Sequence, residues 1–205
     1  MFDLVSFIPR AIMQGIPLLF GSTGETLTEK SGNLNLGIAG IMYVGGISGV
    51  IGAFLYEQGA GGAAGMNGFL AVMIPLLSCL LGSLLMGLLY CFLTVTLRAN
   101  QNVTGLALTI FGTGVGQFVG ELMRLKVGGN VTVSNALKDA FANPVLPKFL
   151  QDIPVIGPIL FSYNFFVYLG FAAAIIMAYV MTKTRCGLNL CAVGESPATA
   201  DAAGI

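Results

Sequence analysis

The run LNLGIAGIMYVGGISGVIGAFLY, residues 34–56, decides the fold. It holds 23 consecutive uncharged, mostly apolar residues. A helix rises about 1.5 Å per residue, so such a run crosses a hydrocarbon layer of about 30 Å. Four further apolar stretches, near 4–24, 68–97, 101–120 and 159–182, read as membrane segments on either side of it. The expected fold is therefore all-α: a polytopic transmembrane helix bundle of about five membrane segments within residues 1–182.

The segments differ in quality. Residues 4–24 contain Arg10, Pro9 and Pro17, which predicts a short, tilted or re-entrant helix. The third segment follows Asn67 and is longer than one crossing needs, so it must tilt, bend near Pro75 or begin in the interface. Pro154 and Pro158 delay the last helix until after Pro158.

Composition agrees with a lipid environment. Hydrophobic residues make up 56% of the 205, only 9% are charged, and the net charge is zero, so no water-soluble surface can be assembled from the remainder. Nothing in that balance points to nucleic acid. Cys79, Cys91, Cys186 and Cys191 form no CxxC pair and there is no His, which leaves no material for a zinc or haem site; neither a metal nor a cofactor is expected.

Residues 121–152 change to mixed charge with Gly128-Gly129-Asn130, Asn143-Pro144 and Pro147, a loop with short surface helices. Lys183 and Arg185 directly follow the last span and place residues 183–205 in the cytoplasm by the positive-inside rule. Alternating back, 121–152 lie outside, 98–102 inside, 57–68 outside, 25–33 inside and the N-terminus outside. Glycine recurs at helical spacing, as Gly45 and Gly49 and as Gly112, Gly116 and Gly120, which predicts faces where helix backbones meet closely in lipid.

Two apparent active sites fail on chemistry. The run from Gly24 to Ser31, GETLTEKS, nearly spells a phosphate-binding loop, but Glu29 replaces the second glycine and would set a carboxylate against phosphate oxygens. Within the four strongest spans there is no Asp, Glu, Lys or Arg, and there is no His to serve as a base. The chain is expected not to be an enzyme.

Residues 25–40, ETLTEKSGNLNLGIAG, carry a more specific signal. They resemble the segment leading into the second membrane helix in permease subunits of ATP-binding-cassette importers for nucleosides, a group related to simple-sugar and branched-chain amino acid permeases. Residues 186–205, CGLNLCAVGESPATADAAGI, resemble that family's cytoplasmic coupling loop. Local chemistry fits a short helix over 195–204: Ser196 suits an N-cap, Pro197 a first helical position and Glu195 a helix N-terminus, with small residues following. Ala39, Asn189 and Cys191 depart from the family pattern, which favours a Glu at the first position and basic residues at the other two.

What the resemblance implies is a multi-pass permease subunit of the cell (plasma) membrane that works by alternating access, driven by a separate ATP-binding-cassette ATPase. Its other partners would be a second permease subunit, as homo- or heterodimer, an extracellular substrate-binding lipoprotein, and membrane lipid. Gly194, Glu195, Ser196, Pro197, Ala198 and Asp201 would couple it to the ATPase. Family members continue through several more spans, so a fragment of a longer permease or a truncated reading frame is expected here.

Polar residues entering the apolar segments are the candidates for a substrate path: Asn33, Asn35, Asn102, Thr104 and Gln117, with Asn100 and Gln101 beside them. Amides both donate and accept, as a base or a ribose requires. A secondary carrier or channel, a non-transporting membrane partner, and a simple sugar or branched-chain amino acid as substrate stand as alternatives. Because Glu29 occupies the glycine position, the purified chain is expected to show no saturable ATP binding; titration with a fluorescent nucleotide analogue checks this, and saturable binding to the pure chain would overturn it.

Overall fold

The computed structural model describes residues 4–204 except Asp152 and Val155; the expected loop end at Asp152 and the chain end at Ile205 lie outside the described residues. The described residues form nine α-helices with no strand: α1 Leu4–Lys30, α2 Ile38–Gly59, α3 Gly68–Cys91, α4 Gln101–Val127, α5 Asn135–Ala142, α6 Lys148–Gln151, α7 Phe165–Lys183, α8 Arg185–Glu195 and α9 Pro197–Ala202. A π-helical turn, Phe92–Thr96, extends α3, and another, Gly157–Phe161, precedes α7. Four stretches are long and apolar enough to cross a membrane: Ile38–Gly59, Gly68–Thr96, Gln101–Val127 and Phe165–Lys183. The protein is a polytopic helical membrane bundle. Large apolar side chains such as Ile110, 74% exposed, and Ile175, 69% exposed, stand on the outer surface, where only hydrocarbon or another subunit can accept them.

Helix ends explain most differences from the expected boundaries. α1 continues past residue 24 to Lys30, and within its polar turns the hydroxyls are satisfied on the helix itself: Thr23 Oγ1 donates to the Leu19 carbonyl at 2.6 Å and Thr26 Oγ1 to that of Ser22 at 2.8 Å. It then closes in a Schellman motif. Gly32 N–H donates to the Glu29 carbonyl and Asn33 N–H to that of Thr28, with Gly32 left-handed at φ 90°. α4 runs beyond residue 120 to Val127, supported by the Glu121–Arg124 pair one turn apart and closed by Gly128 at φ 72°. Asn67 caps α3 through its Oδ1, 3.0 Å from Phe69 N, and Asn164 caps α7 from Val167 N at 3.2 Å, six residues after Pro158.

The chain divides into two compact units, residues 4–33 with 142–204 and residues 34–141. In the second unit α2 packs antiparallel on α3 and also touches α4. The α2–α3 seam is built of small residues: a methyl on Gly45 would strike Ser83 Oγ, one on Gly52 would strike Ser78, one on Gly82 would strike Ser48, and one on Gly49 would lie 3.2 Å from Cys79 Cβ. On α4, a Cβ at Gly112 would lie 2.7 Å from the Gly40 carbonyl oxygen, and one at Gly116 would meet the Tyr43 ring. Gly120 is looser, 3.8 Å from Ile47. Met86, Tyr90 and Leu108 form the buried cluster beneath.

In the first unit α7 packs on α1 around Ile16, Tyr163 and Val167, flanked by Ile12, Leu19 and Tyr168. Gly112→Ala is expected to destabilise the solubilised protein by about 1–3 kcal/mol, since backbone rather than a movable side chain blocks the new methyl. Gly114→Ala, two residues away with nothing within 4 Å, is expected to leave stability unchanged or raise it by up to about 1 kcal/mol. Thermal unfolding in detergent of the two variants checks the contrast.

Candidate functional site

Two polar regions, one in each unit, carry the residues singled out in the sequence. The first is the end of the chain. Thr184 joins α7 to α8, its hydroxyl donating to the Val180 carbonyl at 2.7 Å and accepting from Gly187 N at 3.2 Å. Gly187 lies against the backbone of Val180 and Met181, so α8 folds back tightly from the end of α7. This eleven-residue helix was not expected. Thr184 three residues before Gly187 was its signal, masked by Gly187, Asn189 and Gly194, which read as loop.

Glu195 closes α8, so the short helix expected over 195–204 is narrower, Pro197–Ala202. Ser196 is extended at φ −154° and ψ 91°, and its hydroxyl pairs with that of Thr199 at 2.7 Å rather than capping a backbone amide. Pro197 holds the first helical position. Ala200 is buried at 4% exposure and anchors α9, which leaves Pro197, Ala198 and Asp201 on the open surface.

The last turn of α8 lies on the end of α1. A Cβ at Gly194 would strike the Lys30 carbonyl oxygen and lie 2.8 Å from Gly32 N and 2.9 Å from the Ser31 carbonyl carbon. Beside this contact opens a cavity of about 270 Å³ lined by Glu29, Lys30, Cys191, Gly194 and Glu195. The lookalike phosphate loop thus occupies the closing turns of a helix, not a strand-to-helix loop.

The second region is the non-helical stretch at the start of α2. Its backbone groups are met by side chains of α3 and α4: Tyr90 Oη donates to the Leu34 carbonyl at 2.9 Å, Gln101 Oε1 accepts from Leu34 N at 3.0 Å, and Thr109 Oγ1 donates to the Leu36 carbonyl at 2.8 Å. Asn35, 4% exposed, accepts from Gly37 N through Oδ1 at 2.9 Å. Gly105 admits this backbone, since a Cβ there would lie 2.7 Å from Leu36 N. Thr104 is also buried.

The remaining path candidates are dispersed. Asn33 belongs to the other unit and is half-buried, whereas Asn102 and Gln117 are exposed on α4. Asn100 caps α4, its Oδ1 accepting from Asn102 N at 3.1 Å and Val103 N at 3.2 Å. Thr113, Gln117, Glu121 and Arg124 recur at spacings of four, four and three, one face of a helix. Glu121 and Arg124, each about half exposed, are joined by two hydrogen bonds; Arg124 Nε donates to Glu121 Oε2 at 2.8 Å and Nη2 to Oε1 at 2.6 Å. Sequence reading missed Tyr90 and Thr109 because an aromatic and a threonine inside apolar runs carry no pattern of their own. Among the described residues no cluster of His, Cys, Asp and Glu could hold a metal ion.

Comparison with known proteins gives this geometry a context. Residues 7–205 match the family described as branched-chain amino acid transport system, permease component. The guanosine ABC transporter permease protein NupQ of Bacillus subtilis is 29% identical over 199 residues, covering 97% of this chain and 58% of that protein. The nucleoside ABC transporter permease protein NupC of Lactococcus lactis subsp. cremoris is 34% identical over 202 residues, with coverage of 97% and 58%. A putative glucose ABC transporter permease protein, TsgC13 of Haloferax volcanii, is 29% identical over 193 residues, with 92% and 51% covered. The chain spans little more than half the length of these curated relatives, and no solved structure matches it. Apolar helices fit to cross a bilayer and the match across residues 7–205 together make this a multi-pass protein of the cell membrane, a member of the branched-chain amino acid transport system permease component family.

Proposed function

We propose that this chain is part of the membrane-spanning subunit of an ATP-binding-cassette importer for nucleosides. What carries the reading is its similarity, over 97% of its length, to the permease proteins named for guanosine and for nucleosides. In this role it hydrolyses nothing itself. A separate ATPase supplies the energy, a second permease subunit completes the core, and an extracellular binding protein delivers the substrate.

Local physics supports two parts of the role. α9 exposes small side chains, which let a helix enter a groove on a partner, and Lys183 and Arg185 just before it favour a cytoplasmic position by the positive-inside rule. Gln117 sets an amide on an exposed face of a membrane helix, a costly arrangement in hydrocarbon and a stable one beside water or another subunit. We therefore assign Gln117, with Asn102, to the substrate path. Asn35 and Thr104, buried at the start of α2 and α4, shape the wall behind it.

Alternating access then consists of a population shift: nucleotide binding by the ATPases favours one packing of the helices, and its hydrolysis releases the other. Cells lacking the whole system are expected to lose low-concentration uptake of radiolabelled nucleosides while keeping that of ribose and leucine; the reverse pattern would move the substrate to a sister branch. Gln117→Leu is expected to raise the KM for nucleoside uptake by about tenfold, corresponding to one lost polar contact of about 1.4 kcal/mol. An unchanged KM in initial-rate uptake assays would remove Gln117 from the path.

A further inference from the structure

The contact between the end of α1 and the last turn of α8 is made of backbone on both sides. Gly32 and Gly194 approach so closely that a methyl on Gly194 would strike the Lys30 carbonyl, and a methyl on Gly32 would lie 3.1 Å from the Gly194 carbonyl oxygen. No side chain there can rotate away. Gly194 also has an ordinary alternative, because it lies inside a helix where alanine is intrinsically the better residue. Glycine at this position therefore opposes helix propensity, and the close approach is what it gains.

The contact sits at a mechanical junction. Only Glu195 and Ser196 separate Gly194 from Pro197, the first residue of α9. On the other side, Gly32 is the left-handed residue that closes α1, fixed by the Schellman bonds to Glu29 and Thr28. A short rigid connection thus runs from α9 through the end of α8 into the end of α1.

We propose that the Gly32–Gly194 contact is the joint through which movement of α9 is delivered to α1, and that Gly194 is a positioning residue for the docking surface. The proposal rests on the reading of α9 as the ATPase-docking helix. Packed backbone transmits displacement without the slack of a long side chain, so α9 and the end of α1 move as one body. Gly194→Ala wedges the two apart, tilts α9 and separates ATP hydrolysis from transport.

The test uses the assembled importer with its co-expressed ATPase, the four native cysteines replaced, and a reporter cysteine at Ala198→Cys. The parent is expected to crosslink to the ATPase through a short thiol-to-amine reagent. Adding Gly194→Ala is expected to leave the importer assembled at a somewhat lower thermal unfolding temperature, as backbone blocks the new methyl, to lower the crosslink yield and to reduce nucleoside uptake by about tenfold, within the usual range for coupled sites, while ATP hydrolysis continues. Gly24→Ala, on α1 with nothing within 4 Å, is the control expected to match the parent.

A second variant does not depend on Gly194→Ala folding. Lys30→Cys, with native Cys191 restored, places two thiols on the walls of the one cavity, and a bifunctional thiol reagent joining them is expected to leave uptake unchanged because the joint does not open during transport. Uptake and crosslink at parental levels in Gly194→Ala, or loss of uptake on joining Cys191 to the new thiol, would overturn the joint alone. Absence of any crosslink from the parent would overturn the docking reading and this proposal with it.

Discussion

In a bilayer each backbone N–H and C=O must find its partner within the protein, and the rest of this structure depends on how that requirement is met where helices stop. Inside the spans the problem solves itself. At the ends it is solved locally: Gly32, Gly61 and Gly128 turn left-handed so that the next amides reach back to the last carbonyls, and Asn67, Asn100 and Asn164 accept from first-turn amides. The non-helical residues before α2 need more, and they draw Tyr90, Gln101 and Thr109 from two other helices. The polar side chains of this apolar protein are largely spent on its own main chain.

That economy bears on function. A side chain already committed to a backbone N–H or C=O is a poor substrate ligand, because freeing it leaves that group unsatisfied at a cost of about 1–3 kcal/mol where it is buried. Asn35 and Gln101 are committed in this way, while Gln117 faces outward on α4. Lipid is a poor neighbour for that outward amide, which favours protein or water on its side of α4. Glycine serves the complementary purpose, bringing α2 within backbone distance of both α3 and α4 where hydrophobicity supplies no attraction.

The spans were legible because charge is so scarce: residues 34–56 and α2 agree to within a few residues, and the expected 68–97 agrees with α3 and its π turn. Helix ends beyond the hydrocarbon were not legible, since Ser22 to Lys30 and Glu121 to Val127 are as polar as loops although they continue the helices. Pro158 pointed to a late start for α7, but the actual start at Phe165 depends on Asn164 and the π turn before it. At the end of the chain Pro197 announced α9 correctly, whereas α8 was hidden by its glycines. One of those glycines owes its place to a contact 162 positions away in sequence, which no local pattern can display.

The pairing of α1 with α7 has a consequence for biosynthesis. α2 and α3 are joined by a short connection and can zip along their glycine–serine seam as soon as both have left the ribosome, a local contact of the fast-forming kind. α1 emerges before either of them, yet the residues that bury Ile16 are Tyr163 and Val167, made well over a hundred residues later. Through that interval it has no packing partner there, and it carries Arg10 and two prolines. The order of synthesis therefore leaves the apolar face of α1 uncovered longest, and a pause in translation after α4 prolongs that time.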